Sequence, residues 1–215
     1  MYQRIVKRLL DVSLASILLI ITAPFSLIIA LLIKYESPGP VFFRQDRTGL
    51  DGKTFTMRKF RSMSASNDVR DLSKKDEVTK IGRIMRALSL DEIPQLINII
   101  EGDMSFIGPR PWIPEYYQHM NKTQRRRNDV RPGITGLAQA YGRNRLTIHE
   151  KIAYDLEYVK DISLKEDMKI ILITVRTLLK TTVDEDTLQI GKNGIRNEID
   201  VLRGQNTDGL VDGAS

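Results

Sequence analysis

The chain has 215 residues, with 33 Lys plus Arg against 27 Asp plus Glu, 41% apolar residues and no cysteine. That length bounds it to one domain or one and a half, and the apolar share supports a buried core and excludes a wholly disordered chain; disulfides, thiolate metal sites and a thiol nucleophile are excluded as well. The net charge of +6 is uneven: from Asp184 to the end there are seven acids and three bases, so residues 1–183 carry +10 and need an anionic partner.

The first element is Val12 to Ile33, twenty-two residues without a charge. At about 1.5 Å per helical residue it reaches across a hydrocarbon layer of roughly 30 Å. Pro24 stands at its midpoint, where a proline removes one backbone hydrogen bond and predicts a break. Both flanks are basic, with Arg4, Lys7 and Arg8 before and Lys34, Arg44 and Arg47 after. Because positive residues stay on the cytoplasmic side, a re-entrant segment that dips in, turns at Pro24 and returns satisfies both flanks. An ordinary span would carry one cluster outward. A cleaved leader is disfavoured by the length of the apolar core.

Ser37-Pro38-Gly39-Pro40 ends that element, and Val41 to Gln45 with Thr54 to Phe60 read as a β-hairpin closed through Gly49 and Asp51-Gly52. Ser62 to Glu77 is polar and predicts a mobile loop. Ile81, Ile84, Met85 and Leu88, then Ile93, Leu96, Ile97 and Ile100, recur at helical spacing and predict two helices meeting at Ser89-Leu90-Asp91-Glu92. Gly108-Pro109-Arg110-Pro111 and Arg131-Pro132-Gly133 are stiff turns that each present an arginine. Arg125-Arg126-Arg127 reads most simply as a solvated or lipid-facing patch. Thr147-x-x-Glu150 has capping-box spacing and opens a helix with Ile152, Leu156 and Val159 on one stripe. Asp155 falls on that stripe, where a carboxylate is costly unless paired. A last helix, Leu164 to Thr181, is either core or interfacial, with bases on its remaining face. Beyond about Gly204 the chain lacks periodicity and reads as disordered. Three segments follow: 1–36 in the membrane, 37–183 as a cytosolic catalytic domain with interfacial helices, and 184–215 as an acidic, partly disordered tail. The fold class is α/β, a helix-rich α+β arrangement.

Asp91-Glu92 has two readings. Ser89-x-x-Glu92 matches a capping box and Asp91 suits a helix start, with Pro94 tolerated in the first turn. Alternatively, Lys59, Arg61, Arg86, Arg110, Arg131 and Arg143 form a cationic ring around two carboxylates, an arrangement that suits a diphosphate bridged by Mg²⁺. Trp112 is either core or ligand-stacking. Neither Gly-x-Gly-x-x-Gly nor a P-loop occurs, and no aromatic-basic interleaving points to nucleic acid. A basic membrane scaffold without activity explains the charge but not the dyad or the Pro-Arg-Pro turn.

The apolar segment with its central proline, Lys59-Phe60-Arg61-Ser62-Met63, Arg86 to Gln95, Gly102 to Pro111 and Val130 to Gln139 together resemble the small monotopic phosphoglycosyl transferases, bacterial sugar transferases that start glycan assembly on a polyprenyl phosphate. The resemblance covers approximately Tyr2 to Thr182. It implies a re-entrant helix broken at Pro24 and a cytosolic domain at the inner membrane's cytoplasmic face. It also implies a catalytic dyad of Asp91 and Glu92, with Asp91 the nucleophile and Mg²⁺ close to it. Lys59, Arg86 and Arg110 match positions used around phosphate; Arg131 and Asp155 are carried with them. The implied partners are a UDP-sugar donor, a polyprenyl phosphate acceptor and membrane lipid, with no nucleic acid. The implied reaction passes through an aspartyl-phosphosugar and releases UMP. Ala23 stands before Pro24 where relatives often have serine, so Thr22, Ser26 or backbone adjustment must serve the freed carbonyl.

Overall fold

The computed structural model describes residues 2–64, 78–142, 145–180 and 197–203. Most of the expected loop before Glu77, Arg143 and the tail past Gly204 lie outside them. In chain order the elements are α1 (Lys7–Glu36), β1 (Phe42–Thr48), β2 (Thr54–Phe60), α2 (Lys80–Ala87), α3 (Gln95–Glu101), β3 (Ser105–Ile107), α4 (Pro114–His119), α5 (Lys122–Arg125), β4 (Gly133–Thr135), α6 (Leu137–Tyr141), α7 (Ile148–Lys160) and α8 (Leu164–Lys180). Residues 197–203 add a short helix, α9. This is a helix-rich α+β fold with a β1–β2 hairpin and a separate two-stranded β3–β4 ladder. The chain divides into two compact units, a smaller one of residues 9–45 and 56–102 and a larger one of residues 1–8, 46–55 and 103–215.

The apolar run folds into one long helix, and not into the two segments broken at Pro24 that were expected. Helix α1 runs without interruption through Pro24. A proline costs a helix the hydrogen bond that its missing N–H would have made, and a run of strong apolar helix formers on both sides continues around that loss. The Thr22 hydroxyl donates to the Leu18 carbonyl at 2.7 Å, a local reinforcement one turn earlier. Only 11% of the apolar window is covered by protein. A core helix would be mostly covered, so α1 is a membrane-associating segment.

In the smaller unit the last turns of α1 supply Ile29 and Ile33 to a buried cluster with Phe60 and Met85, against which Val41, Ile81, Leu90 and Ile93 pack. The C-terminal Glu36 accepts from the backbone N–H groups of Lys80 (2.5 Å) and Ile81 (2.9 Å), satisfying donors that the start of α2 leaves open. Arg61 is buried and donates to the carbonyls of Ser37 and Pro38, fixing the turn that leaves α1.

In the larger unit β3 and β4 run parallel, with Ser105 opposite Gly133 and Ile107 opposite Thr135. The two arginine-bearing turns are the ends of this ladder. Their backbones approach so closely that a Cβ on Gly108 would lie 2.4 Å from the Arg131 carbonyl oxygen, and one on Gly133 would lie 2.2 Å from the Gly108 nitrogen. Ile107, Val130, Leu137, Ala140, Tyr158 and Ile170 form the core behind the ladder. The Thr147–Glu150 capping box forms as expected. Asp167, on the inner face of α8, is buried and accepts from Lys7 (2.7 Å), Tyr2 (2.6 Å) and Tyr158 (2.8 Å). The first residues of α1 are thereby tied to α8.

Replacing Asp167 by Ala leaves the buried Lys7 ammonium without its carboxylate. The expected cost is about 3 kcal/mol or more of unfolding free energy, measured by denaturant titration in detergent.

Candidate active site

Asp91 and Glu92 lie in a single 3₁₀ turn, Leu90–Glu92, between α2 and α3. Its flanking apolar residues, Leu90 and Ile93, pack into the cluster that holds the end of α1. The acids between them are therefore pinned at the cluster's edge. The capping-box alternative does not form: Ser89 makes no side-chain cap, and its backbone is left-handed, with φ of 55°. A non-glycine residue there is strained by roughly 1–2 kcal/mol, which the packing of Leu90 and Ile93 must overcome.

One cation serves both acids. Lys59, projecting from β2, donates to Glu92 Oε1 at 2.6 Å and stands 3.9 Å from Asp91 Oδ2. Glu92 is thus committed to a short charge-assisted hydrogen bond, whereas Asp91 keeps a looser ion pair and more of its lone pairs. Burial pushes the Asp91 carboxyl above the ordinary range; Lys59 opposes that, Glu92 reinforces it, and Arg86 opposes it again. Arg86, in the last turn of α2, donates to Ser62 Oγ at 2.9 Å. Of the predicted residues, the smaller unit therefore brings together Lys59, Arg86, Asp91 and Glu92; Arg61 is spent on the turn after α1.

No group of three or more His, Asp or Glu able to hold a metal occurs among the described residues. Mg²⁺ is commonly held by one or two carboxylates, with substrate phosphates and water completing its shell, so an adjacent Asp-Glu pair fits that ion.

Arg110, Arg131 and Asp155 belong to the larger unit. Arg110 is exposed between the buried Pro109 and Pro111, so the turn presents its guanidinium outward. Arg47, not singled out from sequence as a site residue, donates to the Pro111 carbonyl at 3.3 Å. Burial and the neighbouring Arg110 charge bring its guanidinium down to about 10. Two neighbouring cations favour an anion beside them. Asp155 takes the structural alternative that its place on the apolar stripe left open. It is fully buried and accepts through Oδ2 from Arg127 Nε (2.9 Å) and Nη2 (2.7 Å). Arg127 is therefore no solvated or lipid-facing residue: it is 1% exposed, stacks 3.9 Å over the Trp112 ring and donates to the Arg110 carbonyl at 2.7 Å. Nothing in a run of three arginines singles out its third member. The unpaired acid on the stripe of α7 was the available signal.

Compared with known proteins, residues 2–181 match the sequence model described as bacterial sugar transferase. The chain is 44% identical over 177 residues to the uncharacterized sugar transferase EpsL of Bacillus subtilis (strain 168), covering 81% of this chain and 88% of that one. It is 44% identical over 187 residues to a UDP-glucose:undecaprenyl-phosphate glucose-1-phosphate transferase of Caulobacter vibrioides, covering 81% and 70%. A UDP-N-acetylgalactosamine-undecaprenyl-phosphate N-acetylgalactosaminephosphotransferase of Aeromonas hydrophila is 38% identical, with 81% of this chain and 44% of that one covered.

The strained turn gives a direct test. Ser89→Gly should keep or raise the melting temperature, whereas Ser89→Val should cost about 1–3 kcal/mol, read by thermal unfolding of the detergent-solubilised protein.

Proposed function

The chain belongs to the bacterial sugar transferase family, and we propose that it transfers a sugar 1-phosphate from a UDP-sugar to undecaprenyl phosphate through a covalent aspartyl-phosphosugar. It is an enzyme of the phosphoglycosyl transferase type. The sugars named for two of its relatives differ, glucose in one and N-acetylgalactosamine in the other, while the phosphate acceptor named is the same. The shared chemistry is therefore at phosphorus.

The observation that carries the covalent reading is the unequal use of Lys59. Held against Glu92, it stands 3.9 Å from Asp91 Oδ2 in a looser ion pair, and burial keeps the Asp91 carboxyl above its ordinary range. In the first step that oxygen attacks the sugar-proximal phosphorus, and the bond to the bridging oxygen breaks as UMP leaves. In the second, an oxygen of the lipid phosphate attacks the same phosphorus and releases Asp91, giving the lipid diphosphate sugar. Lys59 and Arg86 offset the repulsion between the incoming anion and a dianionic site. Glu92 holds Lys59 in position by accepting its hydrogen bond. Arg110 and Arg131 contact phosphate oxygens. Mg²⁺ would be held by Asp91 and, when bound, would neutralise charge on the donor's phosphates.

The same proposal places α1 as a re-entrant segment on the cytoplasmic face, bent at Pro24 within its continuous helical run. Both of its ends are bonded to folded protein, Lys7 to Asp167 in the larger unit and Glu36 to the start of α2 in the smaller. Basic residues flank the apolar run on both sides, and a crossing helix would carry one of these clusters outward. Helix α8 supports an interfacial placement. Leu164, Met168, Ile171, Leu172 and Val175 form an exposed apolar stripe, flanked by the exposed Lys165, Lys169 and Arg176.

Two experiments test this reading. Incubated with UDP-sugars and no lipid acceptor, the protein should gain the mass of one phosphosugar and release UMP, and Asp91→Asn should do neither while still binding membrane. A variant that turns over normally rules out Asp91 as nucleophile. Because the chain has no cysteine, single cysteines at Gln3 and Tyr35 can be labelled cleanly. Both should react with an impermeant maleimide only after the inner membrane is opened, and outside labelling of either one would mean a spanning helix.

A further inference from the structure

The family match ends at residue 181, but helix α9, residues 197–203, is docked on the larger unit's core. Leu202 is 1% exposed in a cluster with Tyr116, Met120, Ile148 and Ile152. Glu198 is gripped twice: the Tyr116 hydroxyl donates to Oε2 at 2.6 Å, and Lys151 donates to Oε1 at 2.7 Å. Three further contacts lead from there toward Arg110. The Tyr116 ring packs against Trp112 with centroids 5.0 Å apart, Arg127 stacks over the Trp112 ring at 3.9 Å, and Arg127 donates to the Arg110 carbonyl.

We propose that α9 is a brace lying past the matched residues, with Glu198 as a positioning residue that holds Tyr116 and Trp112 against Arg127 and so fixes the turn presenting Arg110. This deepens the proposed function and rests on the phosphate-binding reading of Arg110. Each link is a packed ring or a charge-assisted hydrogen bond, so loosening the first lets the turn sample misaligned positions. Misplacement of about 1 Å is enough to cost a large factor in rate.

The chain has a single tryptophan, Trp112, so its fluorescence reports on the brace without reference to activity. Glu198→Gln, which keeps the side chain's shape, and a chain ending at residue 196 should both raise acrylamide quenching of Trp112. Both should also lower kcat/KM for the donor by roughly tenfold. With Arg110→Ala already present, Glu198→Gln should cost nothing further, because the two act through one contact. Unchanged quenching in Glu198→Gln overturns the brace. Raised quenching with fully additive losses overturns its action through Arg110. Full turnover in Arg110→Ala alone overturns instead the phosphate reading on which the proposal rests, and the quenching measurement still decides whether α9 holds Trp112.

Discussion

Ile29 and Ile33, in the final turns of the membrane helix, are buried against Phe60, Met85, Leu90 and Ile93. This apolar contact is the constraint on which the chemistry depends. On the proposed reading, a lipid phosphate that cannot leave the bilayer must reach the phosphosugar carried on Asp91, so that carboxylate must be held where the membrane segment ends. Each of those isoleucines is worth about 1.5–3 kcal/mol when fully buried, and the sum exceeds the strain stored at Ser89. The turn carrying Asp91 and Glu92 can thus be held in a conformation that local propensity alone would not choose.

Electrostatics then divides the work between two neighbouring acids. A single lysine closer to one than to the other breaks the symmetry of the pair: it holds Glu92 in a short hydrogen bond, while burial, against that lysine's charge, raises the Asp91 carboxyl. The larger unit uses charge differently. Its Arg127–Asp155 pair is buried beyond reach of water and serves geometry, because the same guanidinium also holds the Arg110 backbone and an indole face. Buried ion pairs of this kind contribute little net stability but are costly to break, which suits a fixed support.

Much of this was legible in the residues. The 3.6 period of Ile81 to Leu88 and of Ile93 to Ile100 located α2 and α3, the Thr147 cap located α7, and the uncharged run with basic flanks located α1. Asp155 on an apolar stripe announced a partner without naming it. Other features carried no local signal. Strands β3 and β4 have three residues each, too short for alternation to register, so their pairing came only with the structure. Ser89 has the chemistry of a helix cap, and only tertiary packing turns its backbone left-handed. Pro24 predicts a break, yet one missing N–H is not enough to end a helix of strong apolar formers. Glu198 lies past the stretch where periodicity is readable, and its role follows from two donors contributed by distant helices.

Neither compact unit is a continuous length of chain, since the backbone passes between them after residues 8, 45, 55 and 102. Lys7 meets its carboxylate 160 residues later. During synthesis the membrane helix is therefore made long before the carboxylate that its leading ammonium meets, and the larger unit must wait for its segment past residue 103, whereas the smaller one has all its residues by 102. Such long-range closure makes for slow assembly. The bilayer, by taking up the apolar run early, would shield the most aggregation-prone part of the nascent protein through that delay.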